Sequence, residues 1–460
     1  MRKLILTFFL SFSLFNVTWA FASSAPNVTD NEILLSFPES ATFRATLSSD
    51  VDITSVVLEY GNEQQTCGEV IAKAFPQFTP GKTVEAEWTW EMRQSGSLPP
   101  GAQLWWRWRI VEANGQETVT ETKTATWLDD IHDWQMMSSG ESPSVRLHWY
   151  EGDQAFATDL TQAAQQGLRF NETQSGLKAE APIDIYVYAS TDDLKEAILY
   201  EPSWTGGQAF PDKNIVILGI SEYDLDWGRA AMVHELTHVL VGHLTFSCLG
   251  DVPTWLNEGL AVYSEGELDP VSESQLEAAI RDDTLLTVRS LSSGFSEVAD
   301  KAYLSYSQSY SITQFLIDTH GQEKMTNLLV SLRDGLTIDE ALLQTYGFNV
   351  EGLEAAWRQA VGAAPHVVAA QPTLQPTPTF VPTIAPMGGA VSVLQVTSTP
   401  VPTSSFNGES TQTPGARTGP PLALTLILLG ICCSLLLLAG VVVLGFVVRT
   451  QNRKGGNNDE

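Results

Sequence analysis

The 460-residue chain predicts several units in series: an all-β sandwich, a mixed α+β domain, an extended stalk and one apolar span. Three observations carry that expectation. Residues 33–128 are dominated by short period-2 stretches separated by turn signals. From about residue 130, helix-period and strand-like stretches alternate. Beyond residue 362 the pattern gives way to Pro and Thr, and then to an uncharged apolar run.

The N-terminus has the form of a secretory signal over residues 1–22. Arg2 and Lys3 precede the apolar run Leu4–Phe15, and Ala20-Phe21-Ala22 supplies the small residues of a cleavage site. The sandwich is expected over 26–130. Its strands are Ile33–Phe37, Ala41–Ser48, Ile53–Tyr60, Val84–Met92, Gln103–Val111 and Glu117–Trp127. Gly61-Asn62, Pro80-Gly81, Pro99-Pro100-Gly101 and Asn114-Gly115 mark turns between them. Leu104, Trp106, Trp108 and Ile110 alternate with Gln103, Trp105, Arg107 and Arg109, which is the signature of one buried face. This number of strands in about 100 residues suggests an immunoglobulin- or fibronectin-like sandwich. Its tryptophans are read as core, with a carbohydrate platform as the alternative.

The α+β part is expected over 131–362. A helix over Ala155–Leu168 precedes a strand at Ile183–Ala189, and a helix capped at Thr191-Asp192-Asp193 runs to Tyr200. Gly206-Gly207-Gln208-Ala209-Phe210 then leads to a strand at Asn214–Ile220. The paired glycines imply either a close approach to the backbone or a plain turn into a sheet. A helix from about Trp227 to Leu244 carries His234, Glu235 and His238. Two histidines four apart project from one helix face a single turn apart, which suits two nitrogens on one zinc ion. Glu235, beside the first histidine, is placed to act as general base on a zinc-activated water. His243 falls off that face. After 19 intervening residues Glu258 arrives on the next helix, as a carboxylate ligand that leaves a fourth position for water. Glu265 and Glu267 are competing acids, which a solvated face accounts for.

His234-Glu235-Leu236-Thr237-His238 followed by Trp255-Leu256-Asn257-Glu258-Gly259-Leu260-Ala261 resembles the gluzincin zinc metallopeptidases. The resemblance is to the peptidase MA-like family related to the aminopeptidase-type gluzincins. It implies a thermolysin-like α+β fold, one zinc ion held by His234, His238 and Glu258, and Glu235 as catalytic base. It also implies a tyrosine that donates to the oxyanion, here assigned to Tyr306 with Tyr303 and Tyr310 as competitors. The chain departs from the aminopeptidases at Gly206-Gly207-Gln208-Ala209-Phe210, where those relatives carry a glutamate that holds the substrate amine. An edge-strand role for Asn214–Ile220 survives that departure, because it uses the backbone.

Residues 363–421, with Thr-Pro repeats, form a disordered stalk. Leu422–Val448 is uncharged and long enough to cross a bilayer as one transmembrane helix, and Arg449, Arg453 and Lys454 place the 449–460 tail in the cytoplasm. Everything between signal and span is then extracellular, on a cell membrane. The 54 acidic and 25 basic residues give a net charge of −29, which argues against nucleic acid and anionic lipid as partners, because both would be repelled. Cys67 and Cys248 are the pair available for an exported disulfide, and Asn27 and Asn171 head glycosylation acceptor triplets. The sequence therefore predicts a membrane-anchored peptidase acting on peptides or proteins. The alternative class is a catalytically silent surface binding or adhesion protein with a peptidase-like fold.

Overall fold

The N-terminal strands owe their arrangement to one long strand that changes partners halfway along. In the computed structural model, which describes residues 25–95, 98–139, 144–198, 205–296 and 298–366, this region comprises β1 (Asn27–Ser36), β2 (Ser40–Asn62), β3 (Ala72–Ala74), β4 (Gly81–Glu91), the single turn α1 (Met92–Ser95), β5 (Gln103–Glu112), β6 (Glu117–Val119) and β7 (Lys123–Thr126). Residues 40–48 of β2 pair with β1 and β4, whereas residues 53–62 pair with β5 and, toward their end, β3. The register shifts between Ser48 and Ile53, and there the strand changes partners while all seven strands stay in one hydrogen-bonded sheet. The two strands expected at 41–48 and 53–60 are thus one. The linking residues stay extended, and the Ser49 hydroxyl there donates to the buried Glu112 carboxylate.

The two halves of β2 come together in the core, with Phe43 5.8 Å from Trp106 of β5 and 5.4 Å from Tyr60, ring centre to ring centre. On β5 every second residue is buried, from Leu104 through Trp106, Trp108 and Ile110, as the alternation predicts. The Trp106 and Trp108 indole N–H groups both donate to Asn31 Oδ1, at 2.8 and 3.0 Å. With their polar atoms satisfied in the interior, these tryptophans are core residues. On the opposite face Glu59 is buried beneath Arg107 and Arg109, which bond it at 2.7 and 2.9 Å. The hydrogen bond from Arg109 leads the causes that hold its pKa down, to about 2.

A second sheet has the order β11-β12-β10-β9-β8. Its strands are β8 (Gln135–Ser138), β9 (Val145–Trp149), β10 (Ile183–Tyr188), β11 (Gly207–Phe210) and β12 (Ile215–Gly219). β9, β10 and β12 run parallel, with α2 (Gln154–Gln174) and α3 (Thr191–Ala197) in the crossovers. Sequence reading missed β8 and β9, whose few residues carry too short an alternation. It also placed the α3 cap one residue late: Ser190 accepts from the Asp193 amide. Both faces of this sheet are covered. Ile185, Val187, Val216 and Leu218 pack with the helices, while Tyr186, Tyr188, Ile215 and Ile217 join the core of the N-terminal strands. Burial on both sides explains the unbroken apolar run of β12.

The remaining described chain is helical: α4 (Leu225–Thr245), α5 (Thr254–Glu265), α6 (Pro270–Arg281), α7 (Ala299–His320), α8 (Gln322–Arg333), α9 (Ile338–Tyr346) and α10 (Val350–Ala360). α5 lies against α7 so closely that a Cβ on Gly259 would sit 2.2 Å from Thr313 Oγ1 and 2.5 Å from the Ser309 carbonyl oxygen. α9 starts on a reciprocal cap between Thr337 and Glu340. Asn171 lies inside α2, fully buried, and donates to the Gly167 carbonyl and to Thr237. That acceptor triplet is therefore closed to a glycan in the folded protein, whereas Asn27 is exposed.

The expected signal (1–22), the stalk past residue 366, the span at 422–448 and the 449–460 tail lie outside the described residues. Among the described residues no helix is long and apolar enough to cross a membrane. Cys67, between β2 and β3, is bonded to Cys248, just past α4, across 181 positions. Closing so long a loop restricts the unfolded chain. Replacing both cysteines by serine should therefore cost about 3 kcal/mol, read as a lowered calorimetric Tm. An unchanged Tm would contradict a stabilising role.

Candidate metal centre and catalytic cleft

α4 turns His234, Glu235 and His238 into a cleft of about 1360 Å³, whose other walls come from β11, α5 and the start of α7. α5 contributes Glu258. The Nε2 atoms of His234 and His238 each lie 3.4 Å from Glu258 Oε2. The three candidate ligand atoms fall within 4.8 Å of one another, and among the described residues this is the one such cluster. The spacing predicted from sequence is thereby realised in space.

The donor set fits a divalent cation. Glu258 Oε2 is buried with no hydrogen-bond partner among the described residues, and 3.4 Å is longer than a good N–H···O bond. Each histidine has its other nitrogen committed elsewhere. His234 Nδ1–H donates to Glu265 Oε1 at 2.6 Å, and His238 Nδ1–H donates to Asn257 Oδ1 at 3.1 Å. Those bonds select the tautomer whose Nε2 lone pair faces Glu258. Two imidazole nitrogens and one carboxylate oxygen are a zinc-type set that leaves a position for water.

Glu265 is thus not accounted for by a solvated face. It lies seven residues, about two helical turns, after Glu258 and on the same side of α5, a spacing legible in the sequence. Asn257 carried no signal beyond its place beside Glu258. Glu267 lines the cleft outside the ligand cluster. His243 is likewise outside it, and burial lowers its pKa.

Glu235 sits next to this cluster. Burial raises its carboxyl pKa above the ordinary value, against the pull of His238 and His234. For Glu258, burial pushes upward but the histidines prevail, and its carboxyl lies well below the usual range. Tyr306 faces the site, its ring centre 6.2 Å from that of His234 and 5.1 Å from that of Phe295. Burial first, then the charges of Glu258 and Glu235, pushes its phenol above the ordinary value, so the hydroxyl stays a donor. Tyr303 lines the rim, half exposed. Tyr310 is buried outside the cleft lining, near Tyr263. Of the three tyrosines, Tyr306 is the one that both lines the cleft and packs its ring near a candidate ligand.

The glycine pair is explained by close approach. A Cβ on Gly207 would stand 2.9 Å from Glu235 Cγ, and one on Gly206 would stand 2.7 Å from the Trp227 ring. Gly206 leads into β11, which starts at Gly207 and is one edge of the second sheet, while Ile215–Gly219 lies inside it between β11 and β10. The edge expected at Asn214–Ile220 is therefore supplied by residues 207–210. The short Gly-Gln-Ala-Phe strand is held there by pairing to β12, which sequence reading did not assign. Gln65, two residues from the disulfide, brings the N-terminal region to the cleft wall.

Comparison with known proteins agrees with the motif. No curated protein matches the sequence. Among solved structures, the chain is similar to the M1 zinc metallopeptidase from Deinococcus radiodurans. The identity is 13% over 73% of this chain and 93% of that one, with a TM-score of 0.36. It is also similar to Legionella pneumophila aminopeptidase A in complex with aspartic acid, at 10% identity over 73% of this chain and 50% of that one, with a TM-score of 0.32. Likenesses this remote carry no argument about this chain's chemistry. A family model described as the Peptidase MA superfamily matches residues 163–363, the stretch that contains α4, α5, Glu258 and Tyr306. The motif thus lies within a segment of the chain that is similar to the Peptidase MA superfamily.

Proposed function

We propose that the protein is a surface-anchored, single-pass zinc metallopeptidase. A sandwich over 26–130 precedes a peptidase domain over 131–362, a stalk over 363–421 holds both above the membrane, and the span at 422–448 anchors them with the tail 449–460 inside the cell. The observation that carries the enzymatic reading is the convergence of His234, His238 and Glu258 beside Glu235 in one cleft. The signal-like start and the apolar run near the C-terminus support the extracellular location.

His234, His238 and Glu258 would hold one zinc ion, which supplies Lewis acidity and lowers the pKa of water. Glu235 then takes a proton from the attacking water and passes it to the departing amine nitrogen. Its raised pKa, due to burial, suits a group that must both accept and return a proton near neutral pH. Tyr306 donates from its hydroxyl to the oxygen on which negative charge develops. β11 ends the order of the second sheet's described strands and lines the cleft, a position suited to an extended peptide lying alongside it. It carries no carboxylate to hold a free amine, so the reading is peptidase rather than aminopeptidase.

Substituting Glu235→Gln keeps the ligand set and removes the base. Stoichiometric zinc should remain, and cleavage of unfolded protein should fall about 10³-fold or more; retained turnover would sink the role. Tyr306→Phe should lower kcat about 10²-fold with little change in KM, and an unaltered kcat would move the oxyanion role to Tyr303. Among the described residues, the charged lining of the cleft includes Asp212, Asp251, Glu267 and Asp269 beyond the metal site, and no lysine or arginine. Peptides bearing Lys or Arg should therefore be cleaved about tenfold more efficiently than matched Glu peptides at low salt. That ratio should shrink as salt screens the field; equal kcat/KM for both peptides at low salt would refute it.

A further inference from the structure

The two halves of the ligand set lie on different helices, and a buried polar contact joins those helices to each other and to α2. Asn171 Nδ2 on α2 donates to Thr237 Oγ1 on α4 at 2.9 Å. The Thr237 hydroxyl meets that of Ser264 on α5 at 2.5 Å. Thr237 also lies 2.8 Å from the Val233 carbonyl of its own helix, and Ser264 lies 2.7 Å from that of Ala261. Asn171 and Thr237 are fully buried, and Ser264 is 7% exposed. Around them the helix contacts are apolar, with Leu168, Leu236 and Leu260 in one core cluster.

Apolar contacts alone tolerate small rotations and slides of one helix on another. A buried hydroxyl left without its partner costs about 1–3 kcal/mol, so a hydrogen-bonded trio holds one rotation against the others. The location makes that rotation matter. Thr237 lies between His234 and His238 in sequence, and Ser264 immediately precedes Glu265, the partner of His234 Nδ1. Gly167 supports the same contact, since a Cβ there would lie 2.8 Å from Val233 Cγ2. α2 therefore approaches α4 closely enough for Asn171, one turn further on, to reach Thr237.

We propose that Asn171, Thr237 and Ser264 are positioning residues that set the rotation of α5 on α4, and so the aim of Glu258 and Glu265 at the two histidines. None of the three belongs to the candidate ligand cluster or to the described cleft lining, and their role rests on the metal-site reading above. Chelator competition on the full chain measures the zinc dissociation constant, and calorimetry of the metal-free chain measures scaffold stability. Ser264→Ala and Thr237→Val should each raise the zinc dissociation constant about tenfold, while Thr237→Ser, which keeps the hydroxyl, should restore the parent value. Should Thr237→Val fail to fold, Ser264→Ala decides. A purely structural contact would lower the metal-free Tm and leave the dissociation constant of folded protein within twofold; that result overturns the inference. A parent chain that binds no zinc overturns the metal-site reading instead.

Discussion

Glu258 is an acidic side chain withdrawn from water, and its inward oxygen faces two imidazole nitrogens at 3.4 Å. Such a group is costly unless compensated, and a cation held by the three atoms would supply that compensation. Much of the surrounding structure serves that arrangement. α4 aims both histidines, α5 brings the carboxylate, and Glu265 and Asn257 lock the ring tautomers. Gly259 lets α7 come close enough for Tyr306 to reach the cleft, because any side chain there would strike the Ser309 backbone.

The scaffold beneath the site is a sheet with both faces dry. One face seats the helices and the other seats the N-terminal strands, whose core continues onto Tyr186, Tyr188 and Ile217. The N-terminal region is in this way more than an appended module. It covers one side of the sheet that carries the edge strand, and through the bond between Cys67 and Cys248 it is tied to the loop following α4. Gln65 on that tether lines the cleft, so the region also contributes to the surface that a substrate meets.

Local chemistry was readable where a residue's role follows from its neighbours in the chain. The alternation in β5 foretold its buried face because a strand turns successive side chains to opposite sides. The pair His234 and His238 foretold a shared face because a helix returns every fourth residue. What escaped reading depended on distant partners. The strands expected from the pattern stop at Ser48 and restart at Ile53, whereas the link between them is extended, and the Glu112 that Ser49 bonds lies 63 residues away. Gly207 was ambiguous until Glu235 stood against it. Asn171 looked like a surface acceptor because a triplet motif carries no information on burial.

The amino-acid sequence by itself determined the candidate donor types and their helical spacing, because those depend on backbone periodicity and side-chain chemistry. Tertiary structure alone decided which acidic residue meets which nitrogen, which tyrosine faces the cleft and which strand becomes the sheet's edge. Those outcomes depend on helix rotation and strand order, and both are set by packing between segments far apart in the chain.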